Sequence, residues 1–252
     1  MRKRAALRVC ALGVAAVGLV AQSAMAQSTI MNVPSTDTVA AGKVYGEFDL
    51  LYQLPGPDDF ASTLVLNPRA VVGFAHDVEV GVNVPIYHNS DFGDPSSFYY
   101  IQPNVKWKFF KNDAMGLAAS AGVVVNTPLN ERENQGTWSY VYGNVSKKIM
   151  GAKGPRITGG GYVVVANDKG KSSFGKDRAG ILVAYEQPVT ARVSIVADWF
   201  SGKNGIGYLT PAISIALPNG GLFNAGYSIG NAGEDDGLPN NKFLFVYYGM
   251  TF

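Results

Sequence analysis

Residues 241–252, the last twelve of the chain, read NKFLFVYYGMTF. The stretch has no proline, and apolar or aromatic side chains alternate along it up to the terminal Phe252. A period of two places successive side chains on opposite faces of a β-strand, so the pattern predicts a strand that reaches the end of the chain. Chain ends are usually exposed and frayed, and a strand that stays apolar to its last residue therefore needs a partner.

The predicted partner is the first strand of the same chain. Pairing the two closes a sheet into a barrel without an open edge, as a β-structure in lipid requires. The end also resembles the C-terminal signal of bacterial outer-membrane barrels, with Phe252, Met250 and Tyr248 at its apolar positions and Tyr247 where glycine is common. The resemblance implies handling by the barrel assembly machinery. A terminal strand of a soluble β-sandwich is the alternative.

Residues 1–26 predict a cleaved signal peptide, because a basic start precedes a short apolar run and Ala24-Met25-Ala26 fits a cleavage site. Removing them leaves 226 of the 252 residues, with 17 Lys and Arg against 19 Asp and Glu, so the formal net charge moves from +2 to −2. The sequence therefore gives no argument for nucleic acid as a partner. The only cysteine, Cys10, leaves with the signal, and His76 and His88 alone predict no zinc site; we expect no metal and no cofactor.

We expect residues 27–42 to form a periplasmic lead-in tucked against the barrel base. Over residues 43–252 a single sequence pattern repeats. Segments of about ten residues alternate apolar with polar or small side chains, which suits tilted membrane strands of about 9–11 residues. We count twelve: 43–54, 62–75, 78–88, 98–110, 115–127, 137–149, 155–166, 177–188, 192–201, 205–217, 221–230 and 241–252.

The connections between these segments alternate in length. Those after the even-numbered segments are tight, and most of the others are longer and more polar, except near residues 202–204. Short periplasmic turns and longer extracellular loops are typical of outer-membrane barrels, whereas a soluble sandwich gives no reason for the alternation. The fold class predicted is all-β: a transmembrane, antiparallel up-and-down β-barrel of about 12 strands in the outer membrane of a Gram-negative bacterium.

Two stretches resemble hairpins of the outer-membrane transporters grouped with the phenol meta-pathway degradation family. They are residues 67–87, NPRAVVGFAHDVEVGVNVPIY, and residues 185–202, YEQPVTARVSIVADWFSG. The first stretch shares three features with the family. Its first strand ends in glycine followed by an aromatic residue, its short turn contains aspartate, and its second strand has glutamate, a hydrophobic residue and glycine in succession and ends in proline. The resemblance implies a channel-like barrel for aromatic or hydrophobic solutes and brings no catalytic residues.

Combining face with strand direction predicts the lumen. Inward aromatic residues gather in the outer half: Tyr87, Tyr100, Trp138, Tyr140, Phe200 and Tyr208. Inward charges gather toward the base: Arg69, Lys106, Lys108, Arg156 and Arg192, with Glu47, Asp49, Glu79 and Glu186. We expect a capture site where a flat solute stacks on aromatic faces, with a slight preference for anions such as aromatic carboxylates; lumen filling and mutual ion pairing are the alternative.

Three functions stay open at this point. The first is a channel for small aromatic or hydrophobic solutes, with lipid and the solute as partners and an undefined oligomeric state. The second is a closed barrel with a structural or adhesive role, its lumen plugged by ion pairs or by the N-terminal segment. The third is a surface lipid hydrolase that uses His88 and Ser90, a base beside a hydroxyl; we expect the chain not to be an enzyme.

Overall fold

The computed structural model describes residues 28–53, 62–89, 96–130, 135–149, 154–232 and 242–252. One antiparallel sheet holds the strands of these ranges. The strands are β1 (Val44–Gln53), β2 (Thr63–Phe74), β3 (Val78–Asn83), β4 (Ile86–Asn89), β5 (Ser96–Asn112), β6 (Leu117–Pro128), β7 (Trp138–Lys148), β8 (Arg156–Ala166), β9 (Ala179–Pro188), β10 (Val193–Phe200), β11 (Tyr208–Ala216), β12 (Gly221–Gly230) and β13 (Phe243–Thr251).

The sheet closes on itself through its first and last strands. β1 pairs with β13 from Tyr45↔Thr251 to Gln53↔Phe243 and pairs with β2 on its other side. β3 and β4 are two parts of one barrel strand, interrupted at Val84-Pro85, where proline has no N–H to donate; both parts pair with β2 and β5. The closed twelve-strand barrel predicted from the sequence is therefore confirmed.

The two faces of the wall differ in the way that the alternation predicts. On β3, Val80 is 42% exposed on the outside while Glu79 is fully buried on the inside. On β13, Leu244, Val246 and Tyr248 are exposed. A soluble sandwich would bury these side chains, whereas an apolar outer surface with a polar interior suits a barrel surrounded by lipid.

The two ends of the barrel carry different connections. One end, here the turn end, has short turns such as residues 75–77 and 218–220, in which His76, Asp77 and Asn219 have positive φ. The opposite end, here the loop end, carries the longer connections, one of which contains helix α1 (Asp168–Phe174). The sequence predicts only a loop there, because seven residues are too few for a helical period. Within the described residues, no helix is long and apolar enough to cross a membrane.

The N-terminal segment lies in a different place from the one expected. Residues 28–40 lie inside the barrel rather than below it as a lead-in, and Ile30, Met31, Val33 and Val39 are each at most 2% exposed. The segment passes the turn end close to Gly73, where an added Cβ would stand 2.2 Å from the carbonyl oxygen of Val39. Only glycine allows this approach. We call residues 28–40 the plug.

Candidate functional site

The plug folds back on itself within the lumen. The Ile30 N–H donates to the Val33 carbonyl at 2.8 Å, and the Ser35 N–H donates to the Ser28 carbonyl at 3.2 Å. Thr29 and Pro34 form an isolated antiparallel bridge between the two arms. Residues 30–33 are therefore the tip of a short hairpin, and residues 36–39 form its base near the turn end.

A single carboxylate of β10 holds the tip. The backbone N–H groups of Met31, Asn32 and Val33 donate to one oxygen of Asp198 at 3.0, 2.6 and 2.7 Å. The Asn32 side chain donates to the Thr210 hydroxyl at 3.0 Å and accepts from the Tyr247 hydroxyl at 3.2 Å. Consecutive N–H groups that converge on an anion form a backbone nest, so a buried carboxylate is the natural partner of this turn.

A buried Glu79–Lys106 pair holds the chain on either side of the hairpin. The Val39 N–H and the Ser28 hydroxyl donate to the two oxygens of Glu79, at 2.8 and 2.5 Å. Lys106 Nζ lies 2.9 Å from Glu79 and donates to the Ser28 carbonyl at 2.8 Å. Both charges are thus paired and also hydrogen-bonded, as burial requires.

The base of the plug reaches a second set of charges. Arg156 donates to Asp37 and also to Glu186, the latter at 2.8 Å. Burial alone would raise the pKa of Asp37, but the Arg156 guanidinium holds that pKa below its ordinary value of 3.8. At the nearby turn, a hydrogen bond donated by Lys108 at 2.8 Å lowers the pKa of Asp77.

Beyond the tip, toward the loop end, lies a cavity of about 200 Å³, which we call the aromatic chamber. A cavity of about 150 Å³ is known to hold benzene, so this volume admits a one-ring solute. Six aromatic side chains of the described residues line it: Tyr87, Trp138, Tyr140, Phe200, Tyr208 and Tyr247. Trp138 and Tyr140 stack at 6.3 Å between ring centroids, and Phe200 meets Tyr140 edge-on at 6.1 Å, so the rings support one another and present both faces and edges.

One side of the aromatic chamber is polar. Asp49, Asn67 and Arg69 line it, and Arg69 lies 2.6 Å from Glu47 and 3.5 Å from Asp49. Glu47 does not itself line the chamber, and it accepts a hydrogen bond from the Tyr45 hydroxyl. Arg69, Glu47 and Asp49 are thus linked into a buried network, which is the mutual ion pairing that the sequence left open as the alternative.

A second cavity, of about 550 Å³, opens on the other side of the plug, and we call it the turn-end vestibule. The base of the plug forms part of its wall, through Thr36, Asp37 and Thr38. Its cations come from the barrel strands: Lys108, Lys111, Lys148 and Arg156. The plug therefore stands between an aromatic chamber and a vestibule with basic side chains.

The structure separates the predicted lumen residues into groups. Tyr87, Trp138, Tyr140, Phe200, Tyr208, Arg69 and Asp49 line the aromatic chamber. Tyr100 does not line it, and packs edge-on against Tyr87 at 5.8 Å. Glu79 and Lys106 hold the plug, and Lys108, Arg156 and Glu186 lie at or beside the vestibule. Arg192 is exposed in the turn before β10 and lines neither cavity. Of the proposed assembly signal, Tyr248 and Phe252 face outward at 45% and 66% exposure, and Met250 is half-buried.

Sequence reasoning missed the two residues that connect plug and chamber, Asp198 and Tyr247. Both belong to the inward face that the alternation defines, and an aspartate near the loop end of a strand stands out there among Ser194, Val196 and Phe200. This contrast with its neighbours could have marked Asp198 as a functional residue. The partner of Asp198 could not be predicted, because the plug lies more than 160 residues away in the chain.

The hydrolase alternative left open by the sequence would use His88 and Ser90. Ser90 lies outside the described residues, while His88 Nδ1 lies 2.8 Å from the hydroxyl of Ser97 on the adjacent strand. Within the described chain, no carboxylate is hydrogen-bonded to His88, and no cluster of three metal-binding side chains occurs. The arrangement supplies a base beside a hydroxyl without a group to orient the base.

The barrel has a counterpart among solved structures. A COG4313 outer membrane channel from Pseudomonas putida F1 superposes with a TM-score of 0.59 at 14% identity, over 86% of this chain and 98% of that one. A mutant porin of Rh. blastica aligns with a TM-score of 0.32 at 9% identity, over 83% of this chain and 99% of the porin. At such identities the first likeness shows a shared fold, and the second carries no argument.

Neither a family model nor a curated protein matches the sequence. The resemblance to the phenol meta-pathway group is therefore not confirmed. The similarity that holds is that of the barrel to an outer membrane channel.

Proposed function

We propose that this chain is an outer-membrane channel of a Gram-negative bacterium for small solutes that are aromatic or otherwise hydrophobic. The observation that carries the proposal is the aromatic chamber, in which six rings surround a space of about 200 Å³ on the loop-end side of the plug. Rings that meet both face-on and edge-on favour a flat aromatic solute over a sugar, because they offer a stacking surface that complements another ring. The fold shared with an outer membrane channel agrees with this role.

A solute can pass through the lumen only if the plug moves as a whole or on one side, because the plug stands between the chamber and the vestibule. This feature also favours the second candidate, a closed barrel whose lumen is filled and whose role is structural or adhesive. Conductance separates the two: a channel gives discrete openings in a planar bilayer, and a closed barrel gives none.

The test of solute class is flux through liposomes that contain the refolded barrel. After the rates into protein-free liposomes are subtracted, we expect toluene-like and phenol-like solutes to enter faster than sugars of similar mass, and Tyr140→Ala to reduce this difference. Tyr185→Ala is the matched control, because Tyr185 is 41% exposed on the outer surface. Equal relative rates for aromatic and sugar solutes in the wild-type barrel would contradict the proposal.

A further inference from the structure

Carboxyl groups outnumber basic groups around the aromatic chamber. Among the described residues, the charged side chains that line it are Asp49 and Arg69. Arg69 is matched by Glu47 at 2.6 Å and by Asp49 at 3.5 Å, so two carboxylates face one guanidinium. The network next to the chamber therefore has no free positive charge to offer an anion.

A third carboxylate stands on the other side. Asp198 supports the tip of the plug, whose residues Met31 and Asn32 line the chamber. Asp198 is 1% exposed, accepts backbone N–H groups, and forms no ion pair within the described chain. Backbone donors stabilise a carboxylate without cancelling its charge, so Asp198 adds to the negative potential.

Several buried hydrogen-bond acceptors at or near the chamber also lack a donor. One oxygen of Asp49, one of Asp198 and the amide oxygen of Asn67 are buried without a hydrogen-bond partner among the described residues. Asp49 and Asn67 line the chamber, and Asp49 is 2% exposed. Unpartnered buried acceptors are costly, and a ligand that brings a donor relieves that cost.

The aromatic rings that line the chamber also favour a cation over an anion. The face of a phenol, indole or benzene ring carries negative quadrupole potential, which attracts a cation held within about 6 Å. In a chamber lined by six such rings, an ammonium group meets attractive surfaces, whereas a carboxylate meets repulsive ones. Low local dielectric strengthens both effects relative to water.

We propose that the aromatic chamber selects cationic aromatic solutes, such as protonated aryl-alkyl amines, over aromatic carboxylates of the same size. The inference rests on the proposed function, because it names the solute class of the same chamber. It replaces the anion preference expected from the sequence: Lys106, Lys108 and Arg156 are each paired with a carboxylate, on the turn-end side of the tip.

The test compares three solutes of nearly equal size at pH 7: 2-phenylethylammonium, 2-phenylethanol and phenylacetate. Their binding to the refolded barrel in detergent is measured by equilibrium dialysis. We expect the affinity to fall in that order, with the ammonium at least about tenfold tighter than the carboxylate, a ratio that one uncompensated charge readily supplies. Equal binding, or the reverse order, overturns the inference.

A pair of charge-matched variants locates the effect. Asp49→Asn should reduce the ammonium-to-carboxylate ratio several-fold, while Asp113→Asn, which makes the same change beside the vestibule, should leave it unaltered. Equal changes in both variants would overturn the assignment to the chamber. If Asp49→Asn does not refold, the order of the three solutes in the wild type decides the question alone.

Flux through liposomes separates this inference from the proposed function. If the binding order holds but none of the three solutes crosses faster than it does into protein-free liposomes, the channel function fails and the chamber assignment stands. If all three cross at similar rates and bind equally, the channel function stands and the charge preference fails.

Discussion

The tip and the base of the plug are both buried in the lumen, but different chemistry holds them. The tip offers backbone N–H groups to one wall carboxylate, Asp198. The base offers side chains: Asp37 to Arg156, Thr36 to Ser146 at 2.6 Å, and Thr38 to Asp77 at 3.3 Å. The backbone of the tip thus depends on a single wall residue, while the base divides its attachment among several. The difference suggests that the tip is the part most easily released.

Removal of the whole plug is expected to have the largest effect. A chain without residues 28–40 loses four buried apolar side chains from its lumen, so its single-channel conductance should rise several-fold in a planar bilayer. The control is the intact chain refolded in the same way, with heat-modifiable migration as evidence of a closed barrel. Unchanged conductance in a closed barrel would mean that the plug does not obstruct the lumen.

Release of the tip alone should come next. Asp198→Asn removes the charge that gathers three N–H groups, and each buried donor left without a full partner costs about 1–3 kcal/mol. With Met31→Cys as a reporter, 1% exposed in the parent, labelling by a water-soluble maleimide should speed up at least about tenfold, since about 1.4 kcal/mol corresponds to a factor of ten.

Thr210→Val provides the comparison for that variant. It removes the hydrogen bond from the Asn32 side chain, a neutral contact worth about 1 kcal/mol, together with the contact between the Thr210 and Ser228 hydroxyls within the wall. It should speed labelling much less. If the two substitutions act equally, the carboxylate is not the principal anchor of the tip.

Release of the base by one substitution should have a smaller effect. Arg156→Gln removes the partner of Asp37, but the pair is partly exposed, at 23% and 31% of the side chains, so about 1 kcal/mol is at stake. Labelling of Thr38→Cys should accelerate only a few-fold, because Glu79 still accepts from the Val39 N–H. An acceleration larger than that of the tip reporter in Asp198→Asn would reverse the comparison.

Lowering the pH should have the smallest effect of these changes. It should weaken the contacts at the base of the plug, and only at low pH. The pKa values of Asp37 and Asp77 lie below their ordinary value of 3.8, so their stabilising contacts are complete above that pH. The contribution is lost as pH falls through the lowered values. Conductance fluctuations should therefore be constant from pH 8 to about pH 5 and increase below about pH 4; an increase near pH 6 would point to a different group.

The barrel wall could be predicted from the sequence because its information is local. Alternation along Val78–Asn83 or Phe243–Thr251 identifies both the strand and its face, since a period of two needs no knowledge of neighbours. The interruption at Val84-Pro85 was not predicted, and neither was α1, which is too short to show a period. Both are small departures within a pattern that repeats twelve times.

The lumen could be predicted only as a set of faces. That Glu47 meets Arg69, or Arg156 meets Glu186, depends on strand register, which alternation does not specify across loops of variable length. The plug was harder still: a segment with Pro, Ser and Thr shows no period. Its partners Glu79, Asn144 and Asp198 lie on three different strands, so no local pattern reveals them.

The distance along the chain between the plug and Asp198 constrains the order of assembly. The two are separated by 165 to 167 residues, and nine barrel strands precede or include the one that carries the carboxylate. Contacts of such separation form late, because loop closure over a long chain is entropically unfavourable until the intervening structure exists. The plug, which precedes the barrel strands in the chain, is therefore among the last parts to reach its final position, and a docked tip marks a wall that is already complete through β10.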